Sequence, residues 1–452
     1  MGDAVDTVLN DLADSVTPDD AEREAMWRAV SSLTEQIEAV IDELGLTAET
    51  LHVGSTARGT WLSGERDIDL FVRFQDGTDR ETLTADGLEI GRAVLEDGRA
   101  DYAEHPYITG TYDGFAVDVV PCVDVADAAL AETAVDRTPF HNAYVAEHLD
   151  DSLTADVRIA KRLLTDISAY GSDLRTRGFG GYLLELLIIE YGGIRALLDE
   201  IADWRPPVHL DPEMHGAREF DHPLVVIDPT DPHRNVAAVT DERQLSRLQH
   251  YTRRFLAEPS RDTFTLPERP PLDEADLVTE LEDRGTEAVA LVFDRPDLLE
   301  DQLWPQLRKT RSGIRDELDR RGFDVVRTGI FESENRLAIL LECAVSRLPK
   351  IERHDGPPVA IREHAERFVE TYATDSAVYG PFIDGDRYVI ERERKVRSPR
   401  AFLMSEHLFD VRIGDQLEPV LESGYDVHDG DEIPALLPEF DTQLAAYFEP
   451  VP

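Results

Sequence analysis

Apolar residues recur at helical spacing over residues 18–44, and Gly45 supplies the stop. Thr17-Pro18-Asp19-Asp20 reads as the start, with Thr17 as N-cap, proline at the first helical position and Asp20 reciprocating. A short apolar run, Leu51-His52-Val53, then leads through a Gly-Ser step to Ile68-Asp69-Leu70-Phe71-Val72-Arg73-Phe74. Its branched and aromatic content predicts a buried strand. A helix near 80–97 follows, and residues 107–112 and 115–120 flank Asp113-Gly114, a two-residue hairpin signal. One strand-turn-helix unit with antiparallel strands after it predicts a small mixed sheet with helices on one face.

From residue 151 to about 200 the pattern turns helical: Val157, Ile159, Ala160, Leu163, Leu164 and Ile167 form one stripe, and residues 182–189 another. Residues 228–236 are rich in turn formers, and a helix is predicted from about 241 to 256. Residues 259–273 hold four prolines and read as a linker. Beyond it, residues 288–293, 324–328 and 337–343 read as strands, with an amphipathic helix over 299–321 between the first two. This predicts a second α/β module, a sheet with helices on one face. A helix near 359–374 and a basic segment over 387–400 follow; the plain account of the latter is charge pairing with Glu391 and Glu393.

Composition sets the scale. A chain of 452 residues exceeds what one core usually serves, so two to four domains are expected, and 42% apolar content suffices for globular folding. The 93 acidic residues against 46 basic ones give a net charge of −47, spread along the chain. Only four residues are lysine: Lys161, Lys309, Lys350 and Lys395. Patterned apolar sequence excludes a disordered acidic protein, and the surface reads as one built to stay hydrated in concentrated salt. Strong salt screens charge within about 3 Å at 1 M, so net charge does not exclude RNA as a partner. Cys122 and Cys343 lie in apolar segments and predict reduced core residues. No stretch approaches a membrane span and the N-terminus is acidic, so a cytosolic protein is expected, in a high-salt cytosol.

The candidate chemistry is concentrated in Val53–Phe74, VGSTARGTWLSGERDIDLFVRF. Strand periodicity projects Asp67 and Asp69 to one side, and two carboxylates sharing a face call for a divalent cation, with Mg²⁺ suited to such oxygen ligands. Gly54 allows a tight turn, and Ser55 with Arg58 opens a helix whose N–H groups suit a phosphate. Asp118 is the one charged residue between Phe115 and Cys122, which marks it as a third carboxylate for two-metal phosphoryl transfer. Asp101, Asp124 and Asp127 read as solvated. Lys161 is the only lysine in the first 308 residues; Tyr170 lies just past its helix, and His141 just before the helical region.

The chain resembles the archaeal CCA-adding enzymes, class I tRNA nucleotidyltransferases of the polymerase-β superfamily. The Gly-Ser and Asp67-Ile68-Asp69 segment carries the superfamily. The family is carried by Val135-Asp136-Arg137-Thr138-Pro139-Phe140-His141, Arg177-Gly178-Phe179-Gly180-Gly181-Tyr182-Leu183 with Glu185-Leu186-Leu187, Arg234-Asn235-Val236-Ala237-Ala238, Arg295-Pro296-Asp297 and Trp304-Pro305-Gln306-Leu307. The resemblance implies template-independent addition and repair of the tRNA 3′-terminal CCA, in the order C, C, A, from CTP and ATP with release of diphosphate. It implies that Asp67, Asp69 and Asp118 hold a two-metal Mg²⁺ site and that Gly54, Ser55 and Arg58 bind the triphosphate. It further implies that His141, Lys161 and Tyr170 contact the nucleotide, and that Arg234 reads the incoming base with the RNA end. Two departures stand out: Asp67 replaces a glutamate of some relatives, and Asn142 stands where a second histidine also occurs.

The implied architecture is α+β and multidomain. A polymerase-β-type head spans 1–135 and a helical neck for nucleotide recognition 136–265. A C-terminal α/β body spans 273–345 and 401–452, with a tRNA-binding tail over 346–400. The tRNA acceptor stem and 3′ end are the expected partner, no membrane is involved, and relatives are often homodimers. Tandem CCACCA tagging of unstable tRNA is a further activity of relatives. Two rivals remain: a poly(A) polymerase or oligoadenylate synthetase on the same head, and a non-catalytic RNA-binding protein with a relict head, which three intact carboxylates oppose.

Overall fold

The computed structural model of the chain describes residues 2–102 and 105–452, which divide into two compact units after Pro267. The first unit runs α1 (Gly2–Val16), α2 (Asp20–Leu44), β1 (Ala48–Val53), α3 (Gly54–Arg58), β2 (Asp67–Phe74), α4 (Arg80–Val94), β3 (Arg99–Tyr102), β4 (Pro106–Tyr112) and β5 (Phe115–Val123). It continues with α5 (Ala134–His148), α6 (Asp151–Asp166), α7 (Gly181–Tyr191), α8 (Ile194–Asp203), β6 (Val208–Leu210), β7 (Leu224–Asp228), β8 (Asp231–Asn235) and α9 (Glu242–Ala257).

The five strands β1 to β5 form one mixed sheet in the order β1-β2-β5-β4-β3, with β2 and β5 parallel and the other pairs antiparallel. Period-two alternation divides β2 cleanly. Ile68, Leu70, Val72 and Phe74 are buried against Met26, Leu33 and Ile37 of α2 and Leu83 and Ile90 of α4. Each such side chain contributes roughly 1.5–3 kcal/mol. Asp67, Asp69 and Phe71 take the opposite face. The Asp113-Gly114 turn has positive φ at both residues, 49° and 79°, as the hairpin signal requires.

Two sequence expectations shift here. The N-cap of α2 is Asp19, not Thr17: Asp19 accepts from the Glu22 N–H while the Glu22 carboxylate accepts from the Asp19 N–H. The Thr17 hydroxyl instead donates to the Ala13 carbonyl at the end of α1, at 2.7 Å. That preceding helix has no counterpart in the sequence reading. Its Val5, Leu9, Leu12 and Val16 share a core with α6 to α9.

Residues 231–235, expected as loop, form β8. The Asp228 to Asp231 turn closes a hairpin with β7, and the Asn235 side chain completes it by accepting from the Val226 N–H at 2.9 Å. The proline-rich segment is a linker only in its later part, because Thr263 and Phe264 are buried in the first unit's core.

The second unit comprises α10 (Glu274–Arg284), β9 (Glu287–Asp294), α11 (Glu300–Arg321), β10 (Val325–Glu332), β11 (Arg336–Cys343), β12 (Ile351–Pro358), α12 (Arg362–Tyr372), β13 (Val378–Asp384), β14 (Arg387–Glu393), α13 (Pro399–Leu403), α14 (Glu418–Ser423), β15 (Asp426–Asp429) and α15 (Leu437–Phe448). One sheet has the order β10-β11-β9-β15 and is antiparallel throughout. Helices cover both of its faces rather than the one expected. Val289, Leu291 and Phe293 pack with α11, while Ala288, Ala290 and Val292 pack with α10 and α15. A strand with no polar alternate has no face to give to water.

A second sheet, β12-β14-β13, carries the basic segment. Several of its arginines pair with other partners than foreseen: Arg392 and Arg394 with Glu352, and Arg400 with Asp429 and Glu432. Both cysteines are free and buried. Among the described residues, no helix is long and apolar enough to cross a membrane.

Candidate active site

The face of the first sheet left free by α2 and α4 is where the charged residues gather. Asp118 is the direct register partner of Asp69 across the parallel β2–β5 pair. Strand alternation puts Asp67, Asp69 and Asp118 on the same face. Asp69 senses the other two. Burial, then the charges of Asp118 and Asp67, push the Asp69 carboxyl up to about 6. Burial raises Asp118 as well, with Asp101 and Asp67 adding to it and the Thr109 hydroxyl opposing.

Gly54 explains why a glycine must precede this cluster. Its φ is +78°, and a Cβ there would stand 2.1 Å from Asp69 Oδ2. Backbone therefore approaches carboxylate more closely than any side chain permits. Ser55 follows in the first turn of α3, half-buried.

Arg58, at the last position of α3, donates from Nε to Glu185 Oε1 at 2.9 Å and from Nη1 to Asn142 Oδ1 at 3.1 Å. Asn142 thus helps to hold this arginine. The Thr60 hydroxyl donates to the same Glu185 oxygen at 2.7 Å, while Oε2 is buried without a hydrogen-bond partner among the described residues. Lys161 is 2% exposed, and burial lowers its ammonium below the usual lysine range. Its Nζ lies 6.0 Å from the centroid of the Tyr170 ring. Both Arg58 and Lys161 act electrostatically on Asp69, so cations and carboxylates belong to one site.

A second cluster forms around Asp228, which the sequence reading did not single out. Its Oδ2 lies 2.8 Å from His141 Nε2 and accepts from Arg234 Nη1 at 2.8 Å. Its Oδ1 accepts from the Tyr182 hydroxyl at 3.2 Å and from the Thr230 N–H at 2.9 Å. The His141 ring stacks on Tyr182 with centroids 4.1 Å apart. Burial alone would raise the Asp228 carboxyl, but His141, Thr230 and Arg234 outweigh it and hold the group well below the usual range. His141 and Asn142 are neighbours on α5, so this helix joins the Asp228 cluster to Arg58.

The structure therefore brings together Gly54, Ser55, Arg58, Asp67, Asp69, Asp118, Lys161 and Tyr170, and places His141 and Arg234 on a common anchor. Among the described residues, no three His, Cys, Asp or Glu side chains close into a cation cage unaided. Three mutually repelling carboxylates still form a hard-oxygen donor set that fits a divalent cation sharing its ligands with water and phosphate.

Comparison with known proteins covers the same segments. Residues 33–141 match the family described as a nucleotidyltransferase domain, residues 155–265 the second domain of tRNA nucleotidyltransferase, and residues 284–430 the C-terminal domain of the CCA-adding enzyme. The CCA-adding enzyme of Haloarcula marismortui is 50% identical over 466 aligned residues, and that of Halobacterium salinarum 53% over 453, each covering 100% of both chains. The CCA-adding enzyme of Methanosarcina barkeri is 36% identical over 437 residues, covering 96% of both. With the carboxylate face, the region around Asp228 and the second unit all inside these matches, the chain belongs to the family of CCA-adding enzymes.

Proposed function

We propose that Asp67, Asp69 and Asp118 are the catalytic carboxylates of this tRNA nucleotidyltransferase, which extends the 3′ end of tRNA by C, C and A from CTP and ATP without a nucleic-acid template. The observation that carries this is the pairing of Asp69 with Asp118 across β2 and β5, with each carboxyl raised by burial and by neighbouring carboxylates. The three residues would hold two Mg²⁺ ions, which when bound lower the pKa of the tRNA 3′-hydroxyl and neutralise the leaving diphosphate.

The rest of the site works by positioning and charge. Ser55, Arg58 and Lys161 hold the triphosphate, and the buried Glu185 keeps Arg58 at a fixed reach. Tyr170 packs beside Lys161 and limits water there. Asp228 orients His141 against the nucleotide and Arg234 against the base. Glu185 and Asp228 are positioning residues in this scheme.

Division of the chain into a head over 1–135, a neck over 136–265, a body over 273–345 and 401–452 and a tail over 346–400 that grips tRNA belongs to the same reading, as do a homodimer and a high-salt cytoplasm. So does tandem CCACCA tagging of unstable tRNA, which relies on the same chemistry repeated.

The test is Asp118→Ala. Addition of CMP to a tRNA lacking CCA is expected to stop while tRNA affinity stays within about twofold, and Mn²⁺ titration followed by electron paramagnetic resonance is expected to lose bound metal. Near-normal turnover in the variant would sink the assignment.

A further inference from the structure

Next to the catalytic face lies a hollow of about 400 Å³ that shares only Arg58 with the residues assigned above. Arg23 and Trp27 of α2, Arg58 of α3 and Thr154 and Arg158 of α6 line it, all within the first unit. In a chain with 93 acidic and 46 basic residues, cations are expected to find carboxylates. Arg58 has Glu185 at 2.9 Å, and Arg23 has Asp20 at 2.6 Å. Arg158 has none within ion-pair distance among the described residues. Its Nη1 donates to the Gly59 carbonyl at 2.5 Å, and its buried Nε has no hydrogen-bond partner among the described residues. Burial and the facing charge of Arg23 both lower its guanidinium, with Asp151 opposing. A partly desolvated arginine facing a second cation is costly until an anion joins them.

Trp27 supplies a second, independent observation. It is 54% exposed, whereas Trp61 and Trp204 are 5% and 7%. It is also held in place: its ring meets His52 edge-on at 5.7 Å between centroids, and His52 Nε2 lies 2.9 Å from the Thr56 hydroxyl. Arg23 and Trp27 also border a further hollow with Arg28, so the indole has open space on a second side. On α6, Arg158 of this lining lies one turn from Lys161. Asp20, Glu24 and Asp151 border the groove too; strong salt screens such charges within about 3 Å, which leaves contact pairs to decide.

We propose that this groove holds an unpaired segment of the RNA substrate, one base stacking on Trp27 and its phosphate bridging Arg23 and Arg158. An acidic peptide would satisfy the arginines and leave the indole bare; a nucleotide strand supplies a flat ring and an anion at adjacent positions. The inference rests on the reading that RNA is the acceptor, and extends it to a contact outside the catalytic site.

The test uses the full-length enzyme in high KCl with a fluorescein-labelled tRNA acceptor minihelix lacking CCA. Anisotropy gives the Kd for RNA, and CMP incorporation gives kcat/KM for RNA and KM for CTP. Trp27→Ala is expected to weaken RNA binding about tenfold, with the KM for CTP unmoved. Trp27→Phe is expected to recover most of the loss, and Arg158→Gln to weaken binding more than Arg158→Lys. Unchanged RNA affinity in Trp27→Ala would overturn the proposal. A raised KM for CTP with RNA affinity intact would also overturn it, and would assign the groove to free nucleotide. Failure of the wild-type enzyme to incorporate CMP would count against the catalytic reading, and the anisotropy arm would still decide the groove.

Discussion

Replacing Gly54 by alanine separates backbone strain from damage to the carboxylates proposed to be catalytic. At φ +78° an alanine pays about 1–2 kcal/mol for the left-handed conformation. Its Cβ would also lie 2.1 Å from Asp69 Oδ2, whereas ordinary contact begins at 3.4 Å, so Asp69 or α3 must move by roughly 1 Å. A displacement of that size at reacting groups costs on the order of 100-fold in rate. Gly45→Ala is the matched control: φ is +65° at the end of α2, and no atom lies within 4 Å of the added Cβ. Thermal melts at constant KCl are expected to fall for both, about 2–4 °C per kcal/mol in a unit this size, and further in Gly54→Ala by the cost of relieving the overlap. CMP incorporation at saturating RNA is expected to fall about 100-fold or more in Gly54→Ala alone. If Gly54→Ala turned over like Gly45→Ala, the close approach of Gly54 to Asp69 would have no catalytic meaning.

Asp69→Asn is expected to be more stable than wild type in the absence of metal. The folded value of about 6 lies above the ordinary 3.8, so the charged form costs stability that is absent below about pH 4 and grows until pH 6. The gain above pH 6 is at most about 3 kcal/mol, and a gap that did not change with pH would contradict the coupling. Asp228→Ala strands Arg234 and His141 beside a vacated buried site and is expected to cost about 3–5 kcal/mol in urea unfolding. Because the Asp228 carboxyl is depressed, the wild-type advantage should persist above the ordinary carboxylate range and fade as pH drops toward the depressed value; an advantage that persisted in strong acid would refute the network. Arg234→Ala is expected to weaken the choice of CTP and ATP over GTP and UTP, read from misincorporation with each nucleotide alone, and unchanged selectivity would refute a base-reading role.

Several of these residues stand out in sequence because the fold leaves a strand-local trace. Asp67 and Asp69 follow from period two, and Asp118 from being one charge in an apolar strand. Glu185 obeys the same rule among Leu183, Leu184, Leu186, Leu187 and Ile188, but on a helix, where one carboxylate is easily taken for the solvent side. Asp228 is masked by its neighbour: Asp-Pro reads as a turn, and the turn is real, yet the side chain is the anchor for His141 and Arg234. The approach of Gly54 to Asp69 joins residues 15 apart through tertiary structure and leaves no local signal beyond a glycine. The acidic residues interspersed in α1 obscure a helical stripe of Val5, Leu9, Leu12 and Val16. β15, at four residues, is too short to show a period, and its pairing with β9 is a long-range closure that the apolar run of β9 only makes possible.

What the enzyme makes is the most direct test of its activity. A tRNA transcript ending at the discriminator base is incubated in high KCl with Mg²⁺ and CTP, ATP or both, and the products are sized on a gel. Growth by two nucleotides with CTP alone and by three with both, stopping there, is the predicted result. Ladders of open-ended length with ATP alone would contradict it and point to poly(A) synthesis; absence of growth at every salt concentration would leave RNA binding without catalysis.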